Sequence, residues 1–262
     1  MSEIIKSGVV GAAPEGASDQ PSAARAVREM FTSIAPRYDL LNHVLSFNVD
    51  RMWWRRTART FRNILSRPDA RILDLCCGTG DMTFALQRAV GESPEIRGPQ
   101  ILGADFSHAM LQRATAKSAR DHLAPGWIEP AWIEADALNL PFPSKHFDLV
   151  TSAFGFRNLA DYDAGLREIG RVLRPGGECG ILDFGEPKGV IGALYRIYFK
   201  QVLPRVGTLI SGVRGPYAYL PASVERFPEP QEMLGRMRKA GFAEATWAPY
   251  TFGIAGLYRG KI

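Results

Sequence analysis

Cysteine is scarce in this chain. Only Cys76, Cys77 and Cys179 occur in 262 residues, two of them adjacent, so neither a disulfide framework nor a zinc-ligand spacing is present and a reducing compartment fits. Long apolar runs are missing too. No stretch approaches the roughly 18 uninterrupted apolar residues that a membrane span needs. The first residues lack both the arginine-rich, acid-poor composition of a transit peptide and the apolar core of a signal peptide, since Lys6 stands against Glu3, Glu15 and Asp19. No targeting is indicated, and a cytoplasmic location is expected. Charge of one sign does not dominate: a net +5 and a pI near 9.2 permit attraction to nucleic acid or to an anionic membrane, and choose neither. With 46% hydrophobic and 23% charged residues, the chain can bury one sizeable core.

What is present centres on Arg71-Ile-Leu-Asp-Leu-Cys-Cys-Gly-Thr-Gly-Asp81. An apolar run holding a carboxylate, a small-residue turn and a helical pattern from Asp81 read as buried strand, tight turn and helix start. Gly78 and Gly80 permit positive φ and close approach, so a ligand can lie against the free N–H groups of the helix start. Two familiar ligands are excluded by absences. The dinucleotide fingerprint needs a third glycine where this chain has Thr83, and the P-loop needs a lysine that does not follow Gly80. Asp74 before the turn suits a cationic, phosphate-free nucleoside such as S-adenosylmethionine. Asp105, about 25 residues after Gly80 and closing the apolar run Ile101–Ala104, can accept both hydroxyls of a ribose.

Along the chain, residues 1–24 are rich in Gly, Ala, Ser and Pro and predict a disordered tail. A helix is predicted from Ala26 to Ile34. Residues 44–61 and the following Arg62 place Arg51, Arg55, Arg59 and Arg62 at helical spacing beside Met52, Trp53 and Trp54, a pattern that suits anionic lipid or a solvated face whose tryptophans pack inward. From Arg71 onward strand and helix alternate: helix 80–90, strand 101–105, helix to about Arg120 with Ser107 as N-cap, strand 132–135, strand 147–153, helix 162–173, strand 178–184. Residues 185–227 interrupt the rhythm as an insertion. A helix over 230–240 and two short strands, 244–248 and 253–258, close a doubly wound α/β sheet. The α/β unit thus spans 25–262, with a helical lid over about 26–66.

Further candidates follow the strands, at the ends where open α/β sheets bind ligands. Asp136 can accept from an adenine amine while the backbone of Ala137 donates to the ring; a plain turn is the other reading. Ala153-Phe-Gly-Phe-Arg-Asn158 sets Arg157 and Asn158 beside an apolar hollow, unless Arg157 pairs with an acid on the next helix.

With these pieces, and with Phe31-Thr-Ser-Ile-Ala-Pro-Arg-Tyr-Asp39, Leu140-Pro-Phe-Pro143, Val172-Leu-Arg-Pro-Gly-Gly177 and Leu203-Pro-Arg-Val-Gly207, the chain resembles the ubiquinone/menaquinone biosynthesis C-methyltransferase family from about Phe31 to its end. The resemblance implies a Rossmann-like class I methyltransferase with seven strands, mostly parallel, helices on both faces, and the last strand antiparallel. It implies S-adenosylmethionine held through Thr79, Asp105, Asp136 and Ala137, which join Asp74, Gly78 and Gly80 of the cradle as the candidate cofactor site; no metal is expected. Ala153 departs from a serine contact in some members. Cys76 stands where many methyltransferases have glycine, and fits if its φ is negative.

The implied reaction methylates a ring carbon of a prenylated quinol. Arg157 is expected to favour the phenolate as a nearby cation and Asn158 to orient the oxygen; Tyr38, Asp39 and His43 are the candidate bases. Demethylmenaquinol is the expected substrate, with the methoxybenzoquinol, or both rings, as the alternative. The apolar, aromatic 189–204 segment is expected to wall a lipid-facing channel, with peripheral contact on the inner membrane face and a homo-oligomer left open. An RNA methyltransferase would show an Asp/Asn-Pro-Pro-aromatic stretch after strand 4, which is absent, so no nucleic acid partner is expected. A non-catalytic cofactor binder stays open.

Overall fold

The computed structural model describes residues 10–12, 14–39, 46, 48–90, 99–120, 129–189, 192, 195, 198 and 215–262, without the side chains of Arg37 and of 215–218. His43, most of the 189–204 segment and all of 203–207 therefore lie outside the described residues.

Helix α1, Gln20–Ile34, starts before the predicted Ala26 because Asp19-Gln-Pro-Ser22 forms a capping box: the Asp19 carboxylate accepts from the Ser22 N–H at 2.8 Å and the Ser22 hydroxyl accepts from the Asp19 N–H at 3.1 Å. The tail expected to reach Ala24 is thus shortened. Ahead of the helix, Ala12 is buried and its N–H donates to the Leu159 carbonyl at 2.7 Å, so this part of the expected tail packs on the domain. Helix α2, Val49–Thr60, buries Trp53 and Trp54 and leaves Arg51, Arg55 and Arg59 exposed. The tryptophans belong to the core, not to a lipid-facing stripe. A short helix α3, Arg62–Leu65, leads into the sheet.

The strands are β1 Arg71–Leu75, β2 Gln100–Asp105, β3 Ala131–Glu134, β4 Phe147–Ala153, β5 Leu173–Phe184, β6 Glu244–Tyr250 and β7 Ala255–Lys261. Their spatial order is β3-β2-β1-β4-β5-β7-β6, with parallel pairing from β3 to β5 and β7 antiparallel to both neighbours. This is the seven-stranded sheet that the resemblance implies. The helices between them are α4 Asp81–Ala89, α5 His108–Ser118 and α6 Tyr162–Val172; α7 Gly215–Arg226 and α8 Pro230–Lys239 follow β5. Ser107 sits at the N-cap of α5, but its hydroxyl bonds Thr32 on α1 at 3.1 Å and caps nothing.

Alternation along β1 explains the layers. Ile72 enters a core with Trp53, Trp54, Phe61 and Leu86, while Leu73 enters the other, with Phe156, Tyr162, Ile169 and Met237. A parallel sheet covered on both faces needs apolar side chains on both, and β1 is buried from Ile72 onward. That arrangement leaves the C-terminal strand ends as the place where a ligand can reach backbone.

Candidate active site

A cleft with about 890 Å³ of space, part of it open to solvent, lies at the C-terminal ends of β1, β2 and β4. The turn after β1 forms its floor. Gly80 takes φ +88° at the N-cap of α4, and a Cβ there would meet the Trp132 ring at 2.7 Å. Only glycine serves both demands.

The acids of the cradle have different tasks. Asp74 is fully buried, and its two oxygens accept from Thr83 at 2.6 Å and Thr151 at 2.8 Å, so it clamps α4 and β4 onto β1. Asp105 accepts from the Gly78 N–H and the Ser107 N–H, each at 2.9 Å. Each carboxylate oxygen keeps a second lone pair, which leaves Asp105 able to accept a pair of hydroxyls. Asp136 accepts from the Leu138 N–H at 2.9 Å, a turn-forming bond, and with Ala137 it also lines the cleft. Burial pushes both Asp74 and Asp105 up to about 6.

Those shifts carry a signed prediction. A carboxyl with a raised folded-state pKa binds its proton more tightly in the fold than in the unfolded chain, so the cost of keeping it ionised is present above about pH 6 and is relieved as pH falls toward 3.8. These two groups therefore raise the melting temperature of the cofactor-free protein from pH 7 to pH 5, and Asp105→Asn reduces that rise. A bound cation favours the ionised forms, so affinity for S-adenosylmethionine falls below about pH 6, with proton release measurable by calorimetry in buffers of different ionisation heat.

Cys76 takes φ +55°, not the negative φ expected, so the left-handed conformation persists where the glycine is replaced. Gly155 after β4 makes room for it: a Cβ on Gly155 would stand 2.3 Å from the Cys76 Cβ. Gly155→Ala is expected to cost about 1–3 kcal/mol in chemical denaturation, with most of the loss recovered in the double variant that adds Cys76→Gly. The thiols of Cys76 and Cys77 are pushed well up by burial and stay protonated.

Arg157 is not where the sequence reading put it. It is buried off the cleft wall; its guanidinium donates to the Asp183 carboxylate at 2.8 Å and to the Phe154 carbonyl, and its backbone N–H also donates to Asp183 at 3.0 Å. The expected direct cation beside the substrate oxygen is corrected to a core ion pair, and its partner lies on β5, not on the next helix. Asp183, which the sequence reading missed, had a signal: a lone acid in Gly180-Ile-Leu-Asp-Phe184, a run that must be buried, demands a partner. Asn158 does line the cleft. Its Oδ1 accepts from the Tyr219 hydroxyl at 3.1 Å and its amide reaches the Phe154 carbonyl at 3.4 Å.

From the lid, Tyr38 faces the cleft, edge-on to Phe31 at 6.0 Å. Asp39 accepts from the Thr79 hydroxyl and stands 3.3 Å from Lys117, which also bonds Thr79 at 3.1 Å and pairs with Asp81. Lys117 and Asp81, both missed by the sequence reading, tie lid, cradle and α5 together, and nothing in their local pattern signals it. Thr79 thus lies in the cradle with its hydroxyl held by the lid.

The family model that matches residues 19–261 is that of the ubiE/COQ5 methyltransferase family. The chain belongs to this family. It is 46% identical over 243 residues to a protein of Deinococcus radiodurans named demethylmenaquinone methyltransferase, covering 92% of this chain and 95% of that one. A protein of the same name from Thermus thermophilus is 47% identical, covering 88% and 99%. The ubiquinone/menaquinone biosynthesis C-methyltransferase UbiE of Geobacter sulfurreducens is 41% identical, covering 90% and 88%. Among solved structures, an S-adenosylmethionine-dependent methyltransferase of Thermotoga maritima, described as a possible histamine N-methyltransferase, superposes with a TM-score of 0.60 at 17% identity over 90% of this chain and 99% of that one. The [4+2]-cyclase SpnF superposes with 0.61 at 19% identity, over 93% and 79%. Such likeness shows the Rossmann-like class I fold alone, on which different chemistries sit.

As a ubiE/COQ5 methyltransferase, the enzyme takes its methyl group from S-adenosylmethionine. The cleft fits that donor. Its wall carries the carboxylates Asp74, Asp81, Asp105 and Asp136 and, among the described residues, no lysine, arginine or histidine, a donor set suited to a sulfonium and a ribose and opposed to a phosphate.

Proposed function

We propose that this enzyme methylates a ring carbon of demethylmenaquinol to give menaquinol, in contact with the membrane in which such a prenylated quinol dissolves. The observation that carries the reading is the pair of relatives at 46% and 47% identity, matched over nearly their whole length, whose name is demethylmenaquinone methyltransferase. The cleft supports it: beside the acids of the cradle, its lining includes Phe31, Phe154 and Leu159, apolar surface for a fused ring. The methoxybenzoquinol is the second reading, favoured by the relatives at 37–41% identity whose name joins ubiquinone to menaquinone.

When bound, the sulfonium supplies an electrophilic methyl group and a positive charge beside the ring. The protein has to favour a phenolate, hold the ring carbon in line and exclude water. An amide NH2 has two hydrogens; Asn158 directs one at the Phe154 carbonyl and keeps the other for a ring oxygen. The phenol proton leaves, the ring carbon attacks, and loss of the ring C–H proton restores the aromatic quinol as its oxygen is reprotonated, so one proton departs overall. Tyr38 on the wall and Asp39 at the solvent edge form its exit. Arg157 acts at one remove, by fixing the loop that carries Asn158. Adenosyl contacts fall to Asp105, Asp136, Ala137 and the Gly78–Gly80 turn, with Asp74 beneath them.

The test is turnover of reduced demethylmenaquinol and of the prenylated methoxybenzoquinol in parallel. Preference for the naphthoquinol supports the reading; equal turnover makes the enzyme dual, and turnover of the benzoquinol alone replaces it.

A further inference from the structure

Among the described residues three large apolar side chains are exposed, Val10, Met52 and Phe252, and the last two belong to elements that touch each other. Phe252 is 77% exposed and Met52 is 53% exposed. Phe252 lies in the Thr251–Gly253 turn between β6 and β7, where it holds φ +58° after Thr251 at +45°. Left-handed backbone at two successive non-glycine residues costs energy, and here it displays an aromatic ring to water, which returns nothing in an isolated molecule. Two anchors on α2, the helix that also carries Met52, tie it to this turn and to the strand before it. Trp53 donates to the Thr251 hydroxyl at 2.8 Å, and the Arg56 guanidinium lies 4.1 Å from the centre of the Tyr250 ring.

The charge on the outer side of α2 has one sign, while the exposed acid Glu186 neighbours Pro187, which packs near Gly253 of the turn. The outward side of α2 carries Arg51, Arg55 and Arg59, and α3 adds Arg62, all exposed, while the acid of α2, Asp50, is buried. Exposed apolar tips on a helix and turn held together, with arginines along that helix, match the boundary of an anionic bilayer, where rings enter the acyl region and guanidiniums meet headgroup phosphates. Packed rings connect this place to the cleft wall: the centre of the Trp53 ring lies 5.8 Å from that of Phe154 and 6.1 Å from that of Phe184, and Phe154 lines the cleft.

We infer that the β6–β7 turn and the outer face of α2 form a membrane-docking surface, with Phe252 and Met52 as apolar anchors and Arg55 and Arg59 as contacts to anionic headgroups. The inference rests on the proposed action on a membrane-dissolved quinol, and it assigns the face by which the enzyme meets the bilayer. The buried tryptophans hold the turn against the helix and do not insert.

The experiment is flotation of the full chain with phosphatidylcholine vesicles and with phosphatidylcholine–phosphatidylglycerol vesicles, without quinol. The wild type is expected to float with the anionic vesicles alone and to be released by salt. Phe252→Ser is expected to weaken the partition about tenfold or more, and Arg55→Glu with Arg59→Glu more than about twentyfold. Turnover of a short-chain, detergent-dissolved quinol should be unchanged in these variants. Absence of wild-type binding, or binding that neither variant alters, overturns the inference. So does a sedimentation-detected dimer that Phe252→Ser dissociates, which would make the face a contact between copies. Variant-sensitive binding without turnover of any quinol leaves the docking face standing and refutes the substrate reading.

Discussion

Asp183→Ala is expected to cost the fold about 3–5 kcal/mol, because it leaves the Arg157 guanidinium charged and unpaired in the core. The carboxylate is fully buried; it takes the guanidinium at 2.8 Å, the Arg157 N–H at 3.0 Å and its own neighbour's N–H, from Phe184, at 2.9 Å. The guanidinium also lies 5.1 Å over the Phe184 ring, so the pair staples the turn after β4 to the end of β5. A loss this size is a large fraction of the stability of a domain. Urea denaturation of the cofactor-free protein measures it directly. Replacing both partners, with Arg157→Met and Asp183→Leu, should recover much of the stability, since two apolar groups leave no uncompensated charge. An Arg157 whose charge served only the substrate would give the opposite pattern: Asp183→Ala would alter kcat and leave the denaturation midpoint in place.

Asp105→Asn is the second large effect, and its largest consequence falls on binding. The carboxylate uses one lone pair of each oxygen on the Gly78 and Ser107 N–H groups and keeps the others for a ligand diol. An asparagine turns one of those acceptors into a donor aimed at an N–H, and removes a negative charge from a wall that carries no cation among the described residues. Two charge-assisted hydrogen bonds at about 1.5 kcal/mol each amount to roughly a hundredfold in affinity for S-adenosylmethionine. Isothermal titration at pH 7.5 or above, where Asp105 is ionised, reads it. Affinity within about threefold of wild type would remove Asp105 from the cofactor site.

The parts of this molecule that were legible in the sequence are those governed by local pattern. Strand β4 was read to the residue, Phe147–Ala153, because an apolar run between turn signals has one reading. The cradle was legible because glycine spacing and the Asp105 carboxylate constrain each other. The start of α1 is not, since it is set by the capping chemistry of Asp19 and Ser22 inside a stretch rich in small and polar residues. Cys76 misled for a related reason: the turn geometry belongs to the backbone and persists when a side chain replaces the glycine. Arg157 and Lys117 were illegible at another level. Their partners, Asp183, Asp39 and Asp81, are brought to them by the sheet and the lid across 26 to 78 residues of chain, and no local pattern encodes such a pairing. Long-range ion pairs decide whether an arginine faces a substrate or a core.

The account turns on carbon methylation of a quinol, and the direct measurement is the fate of a methyl group carrying carbon-13. The enzyme, labelled S-adenosylmethionine and reduced demethylmenaquinol should yield menaquinol with the label on a ring carbon, matched one for one by S-adenosylhomocysteine. Label on a quinol oxygen, or S-adenosylmethionine bound with no methyl transferred to the naphthoquinol or the benzoquinol, would contradict it.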